Sequence, residues 1–207
     1  MPMNTNRGNR LRYSFHTPIY DKIVRALEPA RKKSIEKANL DQSDKVLILG
    51  CGTGLDLLYL PKLNSISAID ITKSMVDQTT RRANELGLEV DARVMDGQNL
   101  EFENAAFDAV ILHLILAVIP DPNRCFNEAV RVLKPGGKLV VFDKFVQAHS
   151  KAGLLRKMLN PVMTFLATDV TRDIYAIAGN NDVEFLYDDE AGFNGFFRHV
   201  LIQKSEE

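Results

Sequence analysis

The chain has 207 residues, 45% of them apolar and 26% charged, which is the length and make-up of one globular domain with a full core. A net charge of -1 gives no case for a nucleic-acid partner, and no run of about 18 apolar residues is present to span a bilayer. Cys51 and Cys125 suggest neither a disulfide framework nor a metal cluster, and the polar first 18 residues lack the apolar centre of a secretory signal, so a cytoplasmic protein is expected.

The charge is uneven along the chain. Residues 1–40 carry nine basic side chains against three acidic ones, and residues 181–207 carry seven acidic against two basic. A basic front suits a solvated helix face, or peripheral contact with an anionic membrane or substrate.

Residues 1–17 are polar and read as a mobile lead or a lid. Pro18 then opens a helix to about residue 39, with Ile19, Ile23, Leu27, Ala30 and Ile35 at helical spacing. Lys45 to Leu49 is a short apolar run ending at glycine, the pattern of a buried strand. A turn over 50–54 leads to a short helix from Leu55 to Lys62. Ser65 to Asp70 is a second strand, and Thr72 can cap a helix that stops at Gly87. Glu89 to Met95 and Phe107 to Leu112 are further strands. Asp121-Pro122 starts a helix to Leu133, Pro135-Gly136-Gly137 makes a sharp turn, and Lys138 to Phe145 is a fifth strand.

Strands and helices therefore alternate with short connections. This predicts an α/β fold, a Rossmann-like doubly wound sheet, mostly parallel, with helices on both faces. The tail differs. Residues 151–167 read as a helix with a Leu/Met stripe, kinked at Pro161. Val183 to Tyr187 and Phe196 to Gln203 read as an antiparallel strand pair at the sheet edge. The whole is one domain: a helical cap over 1–40, a core over 45–145, and a lid helix with the strand pair over 151–207.

The strongest local feature is Gly50-Cys51-Gly52-Thr53-Gly54, between a strand and a helix. Glycines there let a ligand approach the backbone, and an open α/β sheet binds ligands at the carboxyl ends of its strands. A dinucleotide site is the nearest rival, but it wants its third glycine one residue later. Asp70 ends the second strand, where its carboxylate can accept hydrogen bonds from two ribose hydroxyls. Asp96-Gly97 follows the third strand, where the acid can accept from an adenine amino group or simply close a turn. Cys51 has no base partner in sequence and reads as packing.

Together, Val46 to Gly54, Ala68-Ile69-Asp70, Asp96-Gly97 with Leu100-Glu101-Phe102, Phe107 to Val110 and Arg131 to Gly137 resemble the class I S-adenosylmethionine (SAM)-dependent methyltransferases. The nearer likeness is to the branch with the ubiquinone/menaquinone C-methyltransferases and the bacterial phosphatidylethanolamine N-methyltransferases. The resemblance covers about residues 45–145, in the expected order and spacing. It implies SAM as cofactor, with Gly50, Gly52 and Gly54 under its methionine part and Cys51 within that loop. It implies Asp70 on the ribose, Ile71 beside the adenine, Asp96 and Gly97 facing the adenine, and Leu112 and His113 near the sulfonium. Tyr20 resembles an N-terminal tyrosine near the cofactor carboxylate. The chain departs from the family at Ile48, where an acid is common, at His113, where small residues are common, and at Asp143-Lys144, which replaces an acid-histidine pair of some lipid-type relatives.

Methyl transfer from a sulfonium is an in-line displacement that needs alignment more than a catalytic triad. His113 is the first candidate for a general base, with Asp143 and His149 behind it. The acceptor reads as a small or amphipathic molecule, a phospholipid amine by the basic front and the 151–167 stripe, or alternatively a quinone ring. From other classes, a nicotinamide-dependent oxidoreductase and a non-catalytic SAM-binding module stay open.

Overall fold

Both faces of a central strand must be covered by apolar neighbours, and the run from Lys45 to Leu49 is built for that position: every residue after Lys45 is buried. The computed structural model describes residues 27–62, 65–146, 169–192 and 195–206. In chain order its elements are Glu28–Ala38 (α1), Lys45–Leu49 (β1), a 3-10 turn at Leu55–Leu58, Ser65–Asp70 (β2), Lys73–Leu86 (α2), Val90–Val94 (β3) and Phe107–His113 (β4). Pro122–Val132 (α3), Leu133–Asp143 (β5), Ile174–Ala178 (α4), Val183–Glu190 (β6) and Arg198–Lys204 (β7) follow.

One sheet takes all seven strands in the order β3-β2-β1-β4-β5-β7-β6. The first five are parallel, and β7 enters antiparallel between β5 and β6. The doubly wound sheet and the antiparallel pair are thus as expected. Between β1 and β4 the winding reverses, so a crevice opens at the carboxyl ends of these strands. Alternate residues divide between two cores. Leu47, Leu49, Val110, Leu112, Leu139 and Val141 pack with Phe126 of α3. Val46, Ile48, Ala109, Ile111 and Val140 pack with Ile35 of α1 and Ala83 of α2.

Local chemistry sets the element ends. Pro122 opens α3, and the Asp121 carboxylate accepts from Arg124 N at 3.0 Å. Gly87 closes α2 in the left-handed region. Thr72 precedes α2 but makes no side-chain cap; the Asp70 carboxylate takes the Thr72 N–H instead, at 2.8 Å.

Three differences from the expected elements have local causes. The helix from Leu55 to Lys62 shrinks to one 3-10 turn, begun by left-handed Gly54, with Tyr59 N bonded back to Asp56. Pro135-Gly136-Gly137 does not break the chain away from the sheet: β5 already starts at Leu133 and crosses these residues in an irregular register against β4. The short helix α4 was not anticipated; Asp173 caps it by accepting from Tyr175 N at 2.9 Å. The helix over 151–167 and the first part of the helix from Pro18 lie outside the described residues.

α1 docks on the sheet partly through polar groups. His199 Nε2–H of β7 donates to Ala30 O at 2.7 Å, and Lys138 Nζ donates to Ala38 O at 3.0 Å. Burial outweighs that carbonyl bond and brings the His199 imidazole down to about 4, so the ring stays neutral. Lys37 pairs with Asp189 of β6, so part of the basic front is matched by the acidic tail. No described helix is long and apolar enough to cross a membrane.

Gly137 lies where β5 crosses β4. A Cβ there would stand 2.8 Å from Lys134 O and 3.0 Å from Asp108 O, both backbone atoms that cannot rotate away, and 3.0 Å from Leu133 Cδ2. Gly137→Ala is therefore expected to destabilise the protein by about 1–3 kcal/mol, read by urea denaturation.

Candidate active site

The crevice holds about 710 Å³ of empty space, open solvent at its mouth included. Its floor is the loop after β1. Gly50 N and Cys51 N both donate to Ile69 O at 2.9 Å, which splices the loop to the end of β2. Gly52 N donates to one Asp70 oxygen at 3.1 Å, and Thr72 N to the other. Each carboxylate oxygen keeps lone-pair capacity for a diol. Burial pushes the Asp70 carboxyl up, against these backbone N–H groups, which favour the charged form.

Gly50 is left-handed, and a Cβ on it would come within 2.8 Å of Ile115 Cδ1. That close approach keeps the loop flat against the chain that crosses above it. Leu114, left-handed although not glycine, turns the backbone there, and its N–H bonds to Phe142 O at 2.8 Å. Leu49, Ile69, Met75, Met95, Val118 and Ile119 give the crevice apolar walls. At the β3 end, Asp96 accepts from Gln98 N at 3.0 Å, and Gln98 Oε1 accepts from Asp121 N at 2.9 Å. A Cβ on Gly97 would stand 2.7 Å from Leu49 Cδ2, so the backbone itself forms that wall.

Behind the loop is a smaller cavity lined by Arg31, His113 and residues 50–53 and 55. Arg31 Nη1 lies 2.5 Å from Asp56 Oδ1, and His113 Nδ1 lies 2.7 Å from the same oxygen. His113 Nε2 lies 3.1 Å from Ser34 Oγ. Burial works to raise the Asp56 carboxyl, but Arg31 and His113 outweigh it and hold it far below the usual carboxylate range.

The family model described as "Methyltransferase domain" matches residues 47–141. The phosphatidylethanolamine N-methyltransferase of Cereibacter sphaeroides is 29% identical over 144 residues, which are 68% of this chain and 70% of that protein. The ubiquinone biosynthesis O-methyltransferase of Xanthomonas axonopodis pv. citri (strain 306) is 34% identical over 120 residues, 57% of this chain and 50% of that protein, so the chain spans only half of that relative. The [4+2]-cyclase SpnF shares the fold, with a TM-score of 0.80 at 18% identity over 99% of this chain and 97% of that one. The family model, these relatives and the shared fold support a class I SAM-dependent methyltransferase. SAM is accordingly its cofactor.

The methyltransferase brings Gly50, Gly52, Asp70, Ile71, Asp96, Gly97 and His113 to the crevice. Gly54 does not reach it: its Cα faces α2, where a Cβ would meet Thr79 Cα at 3.0 Å. Cys51 is buried beside Thr79, Thr79 Oγ1 lying 3.3 Å from its sulfur, and burial drives its thiol up, so it is unreactive. Leu112 is a correction: it points into the core with Phe126, and Leu114 and Ile115 take the crevice wall. His113 is a second correction. Both of its ring nitrogens are occupied by Asp56 and Ser34, which leaves neither free to take a proton from an acceptor.

Asp143 is no base either: it is fully buried and accepts from Ala117 N and Lys144 N, each at 2.8 Å. Tyr20 and His149 lie outside the described residues. Sequence reasoning missed Arg31, Ser34 and Asp56 as members of the site. A signal for the first two existed: Arg31 and Ser34 share the buried face of α1 with Ile35 and Ala38, where an arginine needs a partner.

Asp70→Ala is expected to lower SAM affinity by about 100-fold by calorimetry, the loss of two hydrogen bonds to a charged group, with the melting transition retained. Asp56→Asn leaves the Arg31 charge buried and uncompensated, which costs about 3–5 kcal/mol at pH 7. Because the folded pKa of Asp56 is depressed, its contribution is present above the ordinary carboxylate value of about 3.9 and is lost as pH falls through the lower folded one. Melting curves of the two proteins should therefore converge only in strong acid.

Proposed function

We propose that this methyltransferase moves the methyl group of SAM to the nitrogen of an amphipathic amine of the phosphatidylethanolamine type. The observation that carries methyl transfer is the Asp70 carboxylate, clamped by two backbone N–H groups beside a loop that Gly50 keeps free of Cβ. The residues present fit SAM. Asp70 would hold the ribose hydroxyls, Ile71 and Met95 the adenine faces, and Asp96 with Gly97 the adenine edge. Gly50 and Gly52 would lie under the amino-acid chain. Arg31, whose Nε–H is buried with no partner, would take the carboxylate.

SAM supplies a methyl group already activated by a positive sulfur. The protein's part is alignment and exclusion of water, worth up to about 7–11 kcal/mol of the barrier. The apolar walls from Met75, Val118 and Ile119 serve that exclusion. At neutral pH an ethanolamine amine is an ammonium and must give its proton to solvent before it attacks, since His113 has neither nitrogen to spare. The relative of which this chain covers 70% is named for amine methylation of a phospholipid. Lys32 and Lys33 of the basic front are exposed and supply charge for a peripheral approach to anionic headgroups.

The test is release of S-adenosylhomocysteine with vesicles of phosphatidylethanolamine, with vesicles of phosphatidylcholine, and with a catechol. Turnover is expected only with the amine lipid, rising with pH as the amine loses its proton. Turnover with the catechol alone would replace this reading by oxygen methylation, which the 34% identical relative's name favours. SAM binding without turnover on any of them would leave a non-catalytic binding module.

A further inference from the structure

Four polar groups from three elements converge in the interior behind the glycine loop. Arg31 and Ser34 come from α1, Asp56 from the 3-10 turn and His113 from the end of β4. All four are buried. A chain of polar groups in such a place is costly unless each is satisfied. A carboxylate can only accept, so the His113 Nδ1 that faces Asp56 carries the proton. Nε2 pairs with the Ser34 hydroxyl. Asp56 Oδ1 also accepts from Arg31 Nη1. The unmet donor of the chain is Arg31 Nε–H.

That orphan sits in a particular place. Arg31 lines the small cavity with His113, Gly50 and Gly52, and these last three also line the main crevice, so the two spaces adjoin. The Arg31–Asp56 pair is neutral overall, and the amino-acid end of SAM is a zwitterion, also neutral overall. What Arg31 presents is direction: a planar fork with one arm fixed and another bare.

We propose that Asp56 and His113 are positioning residues that fix the Arg31 guanidinium so that its bare arm meets the carboxylate of SAM. Their role is cofactor recognition, not proton transfer from the acceptor. The inference rests on the cofactor reading above. It explains why a histidine stands at the end of β4: its Nδ1–H locks Asp56, and its Nε2 ties that lock to Ser34, three residues along α1 from Arg31 itself.

Two variants of similar polarity separate this role from packing. His113→Asn keeps a donor where Nδ1 faces Asp56. His113→Gln keeps one only where Nε2 faces Ser34. Calorimetry on each uses two ligands, S-adenosylhomocysteine and 5′-methylthioadenosine; the second has the same adenosine but lacks the amino-acid end. The Asn variant is expected to stay within about twofold of wild type for both, and the Gln variant to lose roughly tenfold for S-adenosylhomocysteine alone, the weight of one charge-assisted hydrogen bond.

Equal losses for the two ligands, equal behaviour of the two variants, or full retention by the Gln variant would overturn the proposal. So would failure of both variants to fold in a melting scan, since the chain would then be a packing device. Wild-type protein that binds neither ligand would instead overturn the cofactor reading itself.

Discussion

The carboxylate of Asp70 is held between two backbone N–H groups from different segments, Gly52 after β1 and Thr72 before α2. That clamp and the paired bonds from Gly50 N and Cys51 N to Ile69 O draw the loop flat across the end of β2. Once the loop is flat, a Cβ at position 50 would stand 2.8 Å from Ile115 Cδ1 on a left-handed backbone that favours glycine. The crevice takes its floor from this arrangement and its walls from the apolar residues at the strand ends. Burial raises the Asp70 carboxyl, so the group contributes less to stability as pH climbs through its raised folded value. A site that works with a charged Asp70 is held at some cost in stability.

Two carboxylates flank the glycine loop, and their surroundings push them opposite ways. Asp70 faces the crevice with only backbone dipoles to oppose its burial, and its carboxyl is raised. Asp56 lies behind the loop, more deeply buried, yet Arg31 and His113 depress it. A full positive charge at 2.5 Å outweighs desolvation where neutral N–H groups do not. The same ion pair helps fasten α1 to the rest of the protein, alongside the His199 and Lys138 bonds to its carbonyls. On the proposed reading, cofactor recognition and docking of the N-terminal helix share atoms.

Much of the fold was legible because its signals are local. β1 and β2 fall where their apolar runs place them, α2 stops at Gly87, and α3 starts at the Asp121-Pro122 pair. The candidate site was legible where it is backbone: Gly50, Gly52, Asp70 and Gly97 line the crevice. It was misread where side-chain direction decides. Leu112 and His113 adjoin in sequence, and the strand pleat sends the first into the core and the second toward α1. Leu114 then departs from the strand in a left-handed turn, a conformation that propensity does not foretell for leucine.

The order of strands and helices, the glycine loop and the acid at the end of β2 follow from the sequence alone, because apolar periodicity, glycine and proline act over a few residues. Which residues meet across long separations was decided only by the tertiary structure. Arg31, Asp56 and His113 stand 25 and 57 residues apart in sequence and share one carboxylate oxygen. Helical spacing puts that arginine on the face of Ile35 and Ala38, apart from the solvated lysines beside it, but nothing local names its partners. Its role comes from burial, which removes water and leaves the cation to be satisfied by whatever partners the folded chain brings near.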